Sequence, residues 1–170
     1  MEPQTTILTK ITRIPLRIIL PALAFAIPFF VSGPQWLTGT LVNALILLVA
    51  TNKLPQKHWY PVAVLPSLAA LSHGILFGKF TPFLLYFLPF IWLGNLILMK
   101  SYIYVCKKTV PILAIIISGS CKALFLYIFA LILYQLKIVP GIFLASMGLI
   151  QLLTAIAGGM VAMKITKNAR

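Results

Sequence analysis

Lys122 is the residue in this sequence whose placement most demands a chemical explanation, because it lies within a long apolar run from Val110 to Leu136. An ammonium group near the middle of a bilayer costs roughly 2.5–3.5 kcal/mol. The chain has a single acid, Glu2, far away in sequence, to set against it. The remaining compensations are backbone carbonyls, deprotonation, snorkelling toward a headgroup, an anionic ligand, or a carboxylate from a partner subunit. Its neighbours Ser118-Gly119-Ser120-Cys121 are small and polar, so another helix or a cavity can come close.

Four further strongly polar side chains fall within apolar segments: Asn43, His73, Asn95 and Gln151. Each needs a hydrogen-bond partner at membrane depth, either another helix or a ligand. Counted from the segment ends at ~1.5 Å per residue, Asn43 and His73 lie roughly 9–11 Å down, and Lys122, Asn95 and Gln151 about 18–21 Å down. This reckoning predicts two polar layers, suited to a pocket entered from outside and closed toward the cytoplasm. With Lys122, these residues form the candidate substrate-binding set. Packing glue between helices is the plainer role for any one of the amides.

Catalytic chemistry has little to work with. Asp is absent, and no Ser-His-Asp, paired-carboxylate or metal-ligand set can be assembled. Cys106 and Cys121 have no CxxC spacing and no companions for a metal or cluster. No GxxxxGK[ST] phosphate loop occurs. The sequence therefore reads as a binding or transport protein rather than an enzyme, with no cofactor and no catalytic residue.

The elements that must position these residues follow from composition. Of 170 residues, 61% are hydrophobic and 9% charged, well above the ~45–50% apolar share of soluble domains. The fold class predicted is an all-α integral membrane protein, a single transmembrane domain with spans near 14–32, 36–51, 61–78, 81–99, 110–136 and 139–163. The last-but-one span would reach ~40 Å against a ~30 Å hydrocarbon core, so it should tilt or project. The first apolar segment lacks a small-residue cleavage site and reads as a retained span. Fourteen Lys and Arg give a net charge of +13. They come in small groups between apolar segments rather than on one continuous basic face, which argues against nucleic acid and for membrane orientation. Lys79 and Lys137 alone fall on one side of the six spans, and the other connections and both ends carry eleven. The positive-inside rule then places both termini in the cytoplasm.

In the first span, Ala22 and Ala26 stand one helical turn apart and make a smooth groove for another helix. With this AxxxA element, and with Leu93-Gly94-Asn95 in the fourth span, the chain resembles the substrate-binding S component of an energy-coupling factor transporter. The strings Thr38-Gly39-Thr40-Leu41-Val42-Asn43-Ala44 and Leu65-Pro66-Ser67 are loosely similar to bacterial membrane proteins placed near that group. The resemblance implies six helices in the bacterial inner membrane and capture of a small solute such as a vitamin. It also implies docking through Ala22 and Ala26 to a transmembrane T component, and ATP hydrolysis by separate cytoplasmic subunits. The rival expectation is a structural subunit that anchors a larger membrane complex, with Lys122 paired to a partner's carboxylate and no solute pocket.

Overall fold

The computed structural model describes residues 4–31, 34–52, 54–74 and 76–168, with side chains from Arg17 onward. The secondary structure of these residues is entirely helical. In chain order the helices are α1 (Gln4–Phe30), α2 (Gln35–Thr51), α3 (Trp59–His73), α4 (Leu84–Cys106), α5 (Pro111–Gln135), α6 (Ile142–Met147) and α7 (Leu149–Asn168). The stretches Gly78–Cys106, Pro111–Gln135 and Ile142–Asn168 are long and apolar enough to cross a membrane, and Arg17–Phe30 and Gln35–Thr51 are shorter apolar helices. At 15 residues, α3 is only ~22 Å long.

Local chemistry sets the ends. Pro111 opens α5, where its missing N–H costs nothing. Gly74 closes α3 in the left-handed conformation (φ 77°), its N–H donating to the Ala70 carbonyl oxygen at 3.2 Å. The third helix therefore stops at His73, short of the 61–78 span expected, and a 3₁₀ segment (Gly78–Phe83) containing Pro82 precedes α4. The fourth helix runs on past Lys100 to Cys106 because Lys100 is exposed and no breaker intervenes before the Lys107-Lys108-Thr109 connection. The last apolar segment, expected as one span, is broken at Gly148, whose ψ of −96° is not helical. Ser32, at the end of the first expected span, lies outside the described residues.

The principal packing pairs are α1 with α3, α2 with α7, and α4 with α5. Close approach of α7 to α2 depends on Gly158. A Cβ there would stand 2.5 Å from the Thr40 carbonyl oxygen and 2.7 Å from the Ala44 nitrogen. The bundle holds two apolar clusters. One contains Leu45, Ile46, Trp59, Leu98, Tyr102 and Ile115, and the other Leu84, Phe87, Leu126, Ala130, Phe143 and Met147. Along α3, α4 and α5, buried polar residues separate the two: Ser67, Asn95, and Ser118 with Lys122. The outward side of α5 is apolar, with Ile116, Leu124, Ile128 and Ile132 exposed, as a lipid-facing surface requires.

Candidate functional site

The polar layer is built on five helices, α2, α3, α4, α5 and α7. Lys122 projects from α5 into the bundle, where it is 3% exposed. Its Nζ donates to Asn43 Oδ1 on α2 at 2.7 Å. Asn43 Nδ2 in turn donates to Thr154 Oγ1 on α7 at 3.1 Å, and the Thr154 hydroxyl donates to the Gln151 carbonyl oxygen at 3.2 Å. This relay fixes the Asn43 amide, so that its oxygen faces the lysine. Gly158 lets the two backbones approach, because its missing side chain sits against Asn43 Cβ as well as the α2 backbone.

The energetics are close to balanced. A hydrogen bond to a charged group contributes about 1.5–3 kcal/mol, and burying the lysine at membrane depth costs roughly 2.5–3.5 kcal/mol. The Asn43 contact offsets most of the penalty without making the lysine a net stabiliser. An ammonium has three N–H donors, and among the described residues Lys122 uses one.

Asn95 on α4 reaches the opposite wall. Its Nδ2 donates to the Ala63 carbonyl oxygen at 2.8 Å. Pro66 withdraws the helical donor from the Val62 carbonyl, one residue before Ala63. Because the Ala63 carbonyl can only accept, the amide nitrogen must face it, and Asn95 Oδ1 points elsewhere. Oδ1 is buried with no hydrogen-bond partner among the described residues, at a cost of about 1–3 kcal/mol for an unsatisfied acceptor. Nearby, Trp92 Nε1 donates to Ser67 Oγ at 2.8 Å.

Between these groups lies a cavity of about 80 Å³, several times the roughly 10–15 Å³ that one water requires. Asn43, Asn95, Lys122 and Gln151 all line it, with Ser67 and Thr38. Gln35, Leu76, Phe77 and Met147 lie toward the bundle end where α1 and α3 finish and α2 and α4 begin. There Phe143 is buried among Phe77, Phe83 and Phe87, with ring centroids 5.1, 6.3 and 5.0 Å away. The polar groups on offer are amides, hydroxyls and one amine, and no group of three His, Cys, Asp or Glu able to hold a metal occurs among the described residues.

The structure thus gathers four of the five residues expected to bind substrate, and leaves His73 apart. His73 is the last residue of α3, its ring edge-on to Phe29 at 5.6 Å, and it does not line the cavity. The two expected polar layers are also not separate. Asn43 and Lys122 touch, because the long lysine side chain closes a difference in depth that counting residues from helix ends treats as fixed. Ala22 is exposed on α1, Ala26 is half-buried, and Ala24 between them is fully buried. Thr154 and Ser67 complete the site although their types gave no signal, since hydroxyls in apolar helices commonly bond their own backbone. Both also do so here. No protein-family model, curated protein or solved structure matches the chain.

Proposed function

We propose that this protein is the solute-capturing membrane subunit of an importer of the energy-coupling factor type, taking up a small micronutrient across the bacterial inner membrane. The reading rests on Lys122, whose amine is turned into the bundle and held by Asn43 at the wall of a cavity. An anchoring subunit would instead present that amine on an outward face. In this proposal α1 to α5 each cross once, the broken α6–α7 segment makes the sixth crossing, and both termini are cytoplasmic. The cavity then leans toward the outer side, the side of Lys79 and Lys137, which carries few cations. The exposed Ala22 turn of α1 supports docking to a T component, with ATP hydrolysed by partner subunits.

Thermal-shift screening of the purified protein against vitamins, amino acids and nucleobases tests capture. At least one compound should stabilise the protein, and Lys122→Met should abolish that response; an intact response in the variant rejects the lysine's role. Docking is tested by Ala22→Leu combined with Ala26→Leu. Loss of co-purification with T and ATPase subunits is expected, and unchanged assembly counts against the proposal.

A further inference from the structure

Two groups at the cavity have unused and opposite hydrogen-bonding capacity. As an ammonium, Lys122 can only donate, and after its bond to Asn43 it retains N–H directions. Asn95 Oδ1 can only accept; it is buried in a residue 1% exposed and has no partner among the described residues. Neither can be swapped to the other polarity. The Ala63 carbonyl oxygen fixes the Asn95 amide, and the Thr154 hydroxyl fixes the Asn43 amide that holds the lysine. Both residues line one cavity whose remaining wall is largely apolar, including Pro28, Val42, Leu84 and Ile91.

We infer that the solute bound in this cavity carries two groups of opposite polarity: an anionic acceptor, of the carboxylate class, for Lys122 Nζ and an N–H or O–H donor for Asn95 Oδ1. This rests on the solute-capture reading above and narrows it to a chemical class. The lysine selects for the anion, because a second neutral acceptor, like Asn43, would leave its charge without a counter-charge. The asparagine selects for the donor, because a methyl group in its place leaves the carbonyl oxygen unpaired and adds bulk. An amide- or lactam-bearing carboxylate on a small apolar body meets both requirements.

The test varies the ligand rather than the protein, so it does not depend on a substituted Asn95 folding. Pyroglutamate, N-acetylglycine and orotate are titrated calorimetrically into the detergent-purified protein, each beside its N-methylated form and its methyl ester. Any compound found by the wider screen is treated in the same way. The expected result is that a free acid with its N–H binds, and that N-methylation and esterification each weaken binding by about tenfold or more. In Lys122→Met, binding of the free acid should be lost, and acid binding at the parent's affinity in that variant overturns the role of the lysine. Equal binding of the N–H and N-methyl forms overturns the role of Asn95 while capture stands. Tightest binding by an uncharged or cationic compound overturns the role of the anion while capture stands. Binding by no compound of either panel removes the capture reading itself, and this inference with it.

Discussion

The Nζ of Lys122 and the Oδ1 of Asn43 meet at 2.7 Å across 79 residues of sequence, and through Thr154 that contact ties α5, α2 and α7 together at one level of the bundle. The pair is asymmetric. The amide without the lysine keeps its bond to Thr154, whereas the lysine without the amide has no partner among the described residues.

That asymmetry gives Asn43→Leu and Lys122→Met different costs. Asn43→Leu leaves a buried amine unpaired and should destabilise the protein by about 1.5–3 kcal/mol. Lys122→Met, which replaces the amine with an apolar chain of similar reach, should cost less. In the double variant part of the Asn43→Leu loss should return. Denaturant unfolding in detergent micelles, followed by far-ultraviolet circular dichroism, measures all three; strictly additive effects would contradict the pairing.

Gly158→Ala should destabilise by about 1–3 kcal/mol, because the new methyl would stand 2.5 Å from the Thr40 carbonyl oxygen and both nearest atoms belong to the α2 backbone. Gly39→Ala should cost less. The three atoms nearest its methyl would all belong to the Thr154 side chain, at 3.1–3.2 Å. Thermal melting of the two variants side by side gives the order, and a Gly158→Ala protein as stable as the parent would mean that α2 and α7 are not in backbone contact.

Removal of the Phe143 ring opens a void between α4, α6 and the connection that precedes α4. Phe143→Ala should cost about 3–5 kcal/mol, since the ring is fully buried. Phe30→Ala, at a ring 77% exposed, should change stability little. Unfolding midpoints of the two variants provide the comparison.

His58, in the short 3₁₀ turn before α3, has its pKa lowered from the usual 6.5, first by burial and then by the positive charges of Arg17 and Lys57. Its Nε2 is buried with no hydrogen-bond partner among the described residues. The folded chain therefore holds the proton less tightly than the unfolded one. The contribution to stability is complete above a pH of about 6.5 and is lost as pH falls through the lowered value. His58→Gln should flatten that decline. Melting temperatures recorded from about pH 7.5 down to about pH 5 check the sign; a parent protein that gains stability on acidification through this range, with the variant unchanged, would reverse it.

The helical architecture was legible in the sequence because apolar length announces helices, whereas the stop at Gly74, inside the expected 61–78 span, was not. The break at Gly148 was not legible. A glycine in an apolar run is equally compatible with a continuous helix, and packing decides between them. Lys122 was conspicuous as the one cation inside an apolar run, and Asn43, Asn95 and Gln151 as amides in similar runs. Which of them meet was hidden, because the pairing depends on helix adjacency and on side-chain reach. His73 shows the same limit from the other side. Its type and depth matched those of Asn43, yet α3 ends there and turns the ring toward Phe29.

Trp92 gives this chamber an optical window. Its indole N–H is held by the hydroxyl of Ser67, which faces the cavity, so an occupant competing for that hydroxyl alters the polarity felt by the indole and shifts its emission. The other two tryptophans lie elsewhere: Trp36 is 60% exposed, and Trp59, 8% exposed, belongs to the opposite apolar cluster. With both replaced by phenylalanine, the protein would report its own filling and emptying in fluorescence colour, without any attached dye.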